Sequence, residues 1–165
     1  MVVLFSERKS KTENEISKIL LKYNAEYISD NKIIVGKDSV SVICQHKNVR
    51  LETNEGIAVF TDDTNRFENQ ILPNGIIGIC ESGNLNALKV FKKNEIPVIT
   101  CGMNSKSTVT FSSFCDGTAL LSLQRTVNGI EPQEIKIKLC ENYQPFSVMV
   151  GAMILLLCGI NPNEF

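Results

Sequence analysis

The apolar positions change period several times along the chain. Val2-Val3-Leu4-Phe5 is an unbroken apolar run and predicts a strand covered on both faces. Past it, Thr12 with Glu15 three positions on has the form of a helix-opening capping box. Ile16, Ile19, Leu20 and Tyr23 supply the apolar stripe of that helix. Three short β-like runs follow, at 25–28, 32–35 and 39–44. They are separated by the turn signals Ser29-Asp30-Asn31 and Gly36-Lys37-Asp38, each short enough for a hairpin.

From Gly56 the runs become continuous: Ile57-Ala58-Val59-Phe60, then Ile76-Ile77-Gly78-Ile79-Cys80, then Pro97-Val98-Ile99-Thr100-Cys101. Between the last two, Leu85, Leu88, Val90 and Phe91 repeat at helical spacing among lysines. Strand, helix, strand at this spacing predicts a parallel, right-handed βαβ unit. After Gly102 the period falls to two. Val109, Phe111, Ala119, Leu121, Leu123, Ile135, Ile137 and Leu139 alternate with polar residues, which predicts an antiparallel subsheet. Arg125 and Glu131 flank Val127-Asn128-Gly129-Ile130, whose Asn-Gly is a hairpin signal. The uncharged stretch 145–160 predicts a helix apolar nearly all round, hence buried on several sides, stopped by Gly159 and Pro162.

These elements predict a single α/β domain over 1–165. Its fold class is a mostly parallel, Rossmann-like sheet with helices, plus a small antiparallel β subsheet. Residues 1–55 form an α+β N-terminal region, 56–106 the βαβ core, and 107–165 the antiparallel subsheet and C-terminal helix.

Composition narrows the class. The chain has 165 residues, 43% hydrophobic and 21% charged, an ordinary globular balance. A net charge of −1 lacks the electrostatic footprint of a nucleic-acid binder, so no nucleic-acid partner is expected. No apolar run reaches the ~18 residues that a membrane span needs. Met1 to Ser6 runs straight into Glu7-Arg8-Lys9, wrongly flanked for a signal peptide. The six cysteines mostly sit inside apolar runs, with no C-x-x-C and a single histidine, His46. Buried, reduced thiols in a cytoplasmic protein, with no metal site, are the expectation.

Residues 102–108 (GMNSKST) follow an apolar strand and end like a phosphate-binding loop. Ser105 stands where that loop needs glycine, and the β-branched and aromatic Val109-Thr110-Phe111 predicts a strand where it needs a helix. The better candidate is the carboxyl edge of the parallel strands, where ligands gather in open α/β sheets. That edge carries Ser6-Glu7, Asp62-Asp63, Cys80-Glu81-Ser82 and Cys101-Gly102. The candidate ligand-binding residues are therefore Asp62, Asp63, Cys80, Glu81, Ser82, Cys101, Gly102 and Asn104. Helix capping is the competing reading for Asp62, Asp63 and Ser82. No catalytic residue and no cofactor is assigned. His46, beside Lys47, Asn48 and Arg50, reads as a solvated loop residue, which leaves Cys80 and Cys101 without a base.

Residues 96–102 (IPVITCG), the β-rich stretch 107–139 and the helix ending in Leu157-Cys158-Gly159-Ile160 resemble the closing half of the central domain of Mur ligases. Those enzymes join amino acids to peptidoglycan precursors with ATP. The resemblance covers about residues 75 to 165. The chain departs from the family in having no P-loop, and in carrying Tyr143-Gln144-Pro145-Phe146 where the family has G-x-H-N. As a whole it also looks like small proteins of clostridial-type bacteria. The resemblance implies a bacterial, non-catalytic domain that binds a small molecule or a protein partner, linked to the cell envelope. Two alternatives stand beside it: a small enzyme with a Cys/carboxylate site, and an obligate subunit of a larger complex. A homo-oligomer is compatible with each.

Overall fold

The computed structural model describes residues 1–36, 40–61, 65–115 and 117–165. These described residues form one ten-stranded sheet, three α-helices and a 3-10 turn at Asn65–Phe67. The elements run β1 (Val2–Phe5), α1 (Lys11–Leu21), β2 (Glu26–Ser29), β3 (Lys32–Ile34), β4 (Ser41–Gln45), β5 (Gly56–Phe60), β6 (Ile76–Glu81), α2 (Leu85–Lys93), β7 (Val98–Cys101), β8 (Val109–Cys115), β9 (Thr118–Leu123), β10 (Gln133–Lys138) and α3 (Pro145–Leu157).

In space the strands lie in the order β10-β9-β8-β7-β6-β5-β1-β4-β2-β3. All pairs from β8 through β7, β6, β5, β1 and β4 to β2 are parallel. The antiparallel pairs among the described residues are β8–β9, β9–β10 and β2–β3. The antiparallel part is thus not a separate subsheet. The single parallel pairing Cys101↔Val109 continues the main sheet into it. The Asn-Gly signal is realised as a tight turn closed by the Val127↔Ile130 bridge, with Asn128 and Gly129 at φ 48 and 82.

Two expectations for the N-terminal region change. The run after β3 does not fold back as a second hairpin: β4 inserts between β1 and β2, parallel to both. The Lys37-Asp38 signal itself falls at 37–39, outside the described residues. Helix α1 also opens earlier than Thr12, since its N-cap is Ser10, whose side chain accepts from the Glu13 backbone N–H. Ser10 and Glu13 have the same spacing as Thr12 and Glu15, so the local rule is met in two registers. Tertiary contacts choose between them: Glu15 is drawn away to accept from the Gln144 backbone N–H at 2.9 Å.

The period-2 geometry of a strand sends alternate residues to opposite faces. Val2 and Leu4 join α1 and α3 in one core; Val3 and Phe5 join α2 in the other. The second core is aromatic, with Phe5 stacked on Phe60 at 4.8 Å and Phe67 and Phe91 edge-on to Phe60. Gly78 is the concession to it, because a Cβ there would lie 2.6 Å from the Phe91 ring. Helix α3 is buried from Ser147 to Leu155 and packs against α1 as well as the sheet. Gly151 leaves room for the Ile19 side chain of α1, where a Cβ would come within 2.8 Å of Ile19 Cγ2. Among the described residues no helix is long and apolar enough to cross a membrane.

Candidate functional site

Because β1, β2 and β4–β7 are parallel, their carboxyl ends share one edge. The chain leaves β1 toward β2 and β4 on one side, then crosses to β5, β6 and β7 on the other, so β1 stands beside the switch point. An ion pair bridges that point: Arg66, after β5, lies 3.1 Å from Glu7, after β1.

Five of the eight predicted residues meet on the β6/β7 side, and a sixth, Cys80, lies one position before the edge. Glu81 is in register with Cys101, and the Ser82 backbone N–H donates to the Cys101 carbonyl at 2.8 Å. Asn104 reaches back to donate from Nδ2 to Ser82 Oγ at 3.0 Å, while its Oδ1 accepts from the backbone N–H groups of Lys106 and Ser107. Gly102 lies against the hydroxyls of Ser82 and Ser107, which a Cβ there would strike. Ser82 does not cap α2; Asn84 does, accepting from the Ala87 backbone N–H at 3.0 Å. A shallow crevice of about 470 Å³ adjoins this cluster, with Thr61, Glu81, Asn84 and Lys89 on its walls. Asp62 and Asp63 fall at 62–64, outside the described residues.

Cys80 and Cys101 are completely buried. Burial, with a smaller contribution from the Glu81 charge, pushes the Cys80 thiol up to about 12. The same causes, together with Cys80 itself, raise Cys101 further. A protonated thiol without solvent contact is a small hydrophobe rather than a nucleophile. The 102–108 stretch also has no phosphate-loop geometry, since it leads into β8 with no helix opening behind Lys106.

The richer arrangement lies on the other side of β1, at the ends of β1, β4 and β2, and it overturns the reading of His46 as a solvated loop residue. The His46 side chain is 12% exposed. Its Nε2 lies 3.0 Å from Glu13 Oε2 and its Nδ1 3.3 Å from Asp30 Oδ2. Carboxylates only accept, so a neutral ring donates to one of the two and a doubly protonated ring to both. Glu13, on the first turn of α1, is itself buried, and it also accepts from the Ser6 hydroxyl and from the Tyr27 hydroxyl at 3.1 Å. Two hydroxyl donors, with the His46 ring as a third wherever Nε2 carries its proton, supply the hydrogen bonds that a buried carboxylate needs. Burial raises the Tyr27 phenol, which therefore stays a donor. Burial foremost, then the Glu13 charge, pushes the neighbouring Cys44 thiol up to about 12.

Glu13, Tyr27, Asp30 and His46 line a crevice of about 410 Å³, together with Arg8, Lys9 and Asn31. Sequence reasoning overlooked it because Glu13 and Asp30 lie 33 and 16 positions from His46. The available signal was the position of His46 itself, one residue past a strand on the carboxyl edge. Among the described residues no group of three or more His, Cys, Asp or Glu is placed to hold a metal ion.

No protein-family model matches the chain, and no curated protein does. Among solved structures, a murein peptide ligase, Mpl, from Psychrobacter arcticus 273-4 superposes with a TM-score of 0.63 at 11% sequence identity. The match covers 98% of this chain and 45% of the ligase. The fold is therefore Mur-ligase-like. The likeness is not confined to residues 75 to 165, as the sequence resemblance implied, but takes in the N-terminal region as well. The chain spans less than half the length of that ligase.

Proposed function

We propose that this chain is a bacterial, cytoplasmic, non-catalytic Mur-ligase-like domain that binds a small ligand at the carboxyl edge of its parallel strands, in the service of cell-envelope metabolism. The observation that carries this reading is the network built on Glu13. A buried carboxylate holding a serine, a tyrosine and a histidine in fixed positions beside an open crevice is costly to keep. Such a network orients donors and acceptors for something that enters. Glu81, Ser82, Gly102 and Asn104 extend the same edge beyond the switch point and are proposed as its second wall. The burial of Cys80 and Cys101 favours binding over a cysteine enzyme. The Mur-ligase-like fold, with the envelope chemistry that a murein peptide ligase is named for, supports the envelope connection.

The test is a thermal-shift screen of the purified protein with nucleotides and peptidoglycan precursors. A ligand at 100 times its Kd should stabilise by about 2.7 kcal/mol. The shift should disappear in His46→Ala. No shift with either class would remove the proposal. The alternative reading is an obligate subunit of a larger complex. Co-purification of a stoichiometric partner, read by sizing, would put that reading first.

A further inference from the structure

We propose that the crevice over β1, β4 and β2 is an oxyanion seat that Asp30 of the chain itself occupies, and that a ligand bearing a carboxylate or phosphate group binds by displacing Asp30. The inference rests on the reading that ligand binds at this edge, and it names the chemistry recognised there.

A single oxygen, Asp30 Oδ2, is approached by two groups from separate elements. His46 Nδ1 stands 3.3 Å away at the end of β4, and Arg8 Nη2 stands 3.7 Å away in the loop between β1 and α1. The histidine is not free to turn. Its other nitrogen is anchored on Glu13, and Glu13 is held in turn by Ser6 and Tyr27. Nδ1 is thereby aimed at whatever sits where Asp30 sits, and it donates to an oxyanion there when the ring is doubly protonated. Lys9 lines the same crevice, makes no ion pair among the described residues, and is kept at φ 64, a left-handed conformation that a side chain rarely adopts.

The anion is tied far more loosely than His46, whose side chain is 12% exposed. Asp30 lies on the short turn between β2 and β3, its side chain is 47% exposed, and both contacts are longer than an optimal charge-assisted hydrogen bond. A displaced Asp30 carboxylate would meet water, so releasing it is cheap. His46 has no comparable alternative, while Arg8, its side chain 79% exposed, reaches in from solvent. At about 410 Å³ the crevice admits more than a bare ion, so the oxyanion would be one group of a larger molecule. Carboxylate and phosphate share the geometry the seat offers, and Arg8 suits either.

The experiment titrates the full chain, wild type and Asp30→Ala, with inorganic phosphate and separately with acetate, followed by backbone amide NMR. In Asp30→Ala at least one of the two anions should bind about tenfold tighter than in wild type, the scale of one charge-assisted hydrogen bond. Shifts should centre on Arg8, Lys9 and His46, and adding Arg8→Gln should reverse the gain. Which anion gains identifies the group. Equal affinity in the two proteins, or shifts centred on Asn84 at the start of α2, would overturn the seat. If Asp30→Ala does not fold, Arg8→Gln in the wild-type chain decides: weakened phosphate and acetate binding supports the seat, and unchanged binding overturns it. A ligand from the thermal-shift screen that stabilises wild type and Asp30→Ala equally would also overturn the seat, while leaving the proposed binding function standing.

Discussion

His46 Nε2 and Glu13 Oε2 are 3.0 Å apart, joining the residue that follows β4 to the first turn of α1. Neither side chain is more than 12% exposed. This contact is the hinge of the polar network at the carboxyl edge, because Ser6 and Tyr27 depend on the same carboxylate. Glu13→Ala would leave a hydroxyl, a phenol and an imidazole facing a space without an acceptor. The expected cost is about 3 kcal/mol, measured by urea unfolding. Glu13→Gln, which keeps an acceptor oxygen, should cost less. Equal stability of Glu13→Ala and wild type would show the network to be ornamental.

The contact between Gly151 and Ile19 makes a packing prediction. In Gly151→Ala the new methyl would sit 2.8 Å from Ile19 Cγ2, inside any real carbon–carbon contact. Overpacking of this kind costs about 1–3 kcal/mol, against a gain of about 1 kcal/mol in helix propensity. Net destabilisation is expected, and Ile19→Val should relieve part of it. A double-mutant cycle with a coupling below about 0.5 kcal/mol would count against the contact.

Stability should fall on the alkaline side. The Cys44 and Cys80 thiols are pushed from 9.0 up to about 12, and Cys101 is raised as well. Above pH 9 the unfolded chain releases these protons while the folded chain holds them, so the folded state binds more protons and loses stability as pH rises. The window runs from pH 9 to 12, with a slope of up to about 1.4 kcal/mol per pH unit for each thiol. Urea unfolding from pH 8 to 11 reads it, and Cys80→Ala should flatten the slope by one group.

Thiol chemistry gives a simpler check. The expectation of buried thiols holds for Cys44, Cys80 and Cys101 and fails for Cys115, Cys140 and Cys158, which are exposed. N-ethylmaleimide at neutral pH should label the exposed three in the native protein and the buried three only after unfolding, read by intact mass. Fast native labelling of Cys80 or Cys101 would restore the thiol-enzyme alternative.

Lys106→Ala should leave any nucleotide affinity unchanged, because β8 rather than a helix follows that loop. A working phosphate-loop lysine would be worth about 1.5–3 kcal/mol. A tenfold or greater loss of ATP affinity, by calorimetry, would return the loop to consideration.

Much of the fold is written in local pattern. Strands β5, β6 and β7 show as continuous apolar runs because both their faces are covered, and α3 shows as a helix without a polar side because it has none to show. The position of β4 was not legible. A turn signal specifies a reversal of the chain, while the choice of which side of β2 receives the next strand depends on Val42 and Cys44 finding α1. The same limit hid half the site. Glu81 and Ser82 could be placed because they are consecutive with a recognisable strand. His46 acquires its meaning from Glu13 and Asp30, each on another element, and no spacing rule connects them. In α3, Leu155 is fully buried and Leu156 is half-exposed, a distinction that an all-apolar helix does not encode.

The pairing of α1 with α3 also sets an order of events during synthesis. A ribosome making this chain releases α1, with Ile16, Ile19 and Leu20, long before the α3 that covers it. Until α3 emerges, the nascent sheet has one greasy side open to the cell, and β1 can satisfy only its aromatic side. A chaperone that binds exposed aliphatic stripes would meet this protein in the interval before α3 is made, and a chain cut short before residue 145 would be recognised as defective by that same uncovered side.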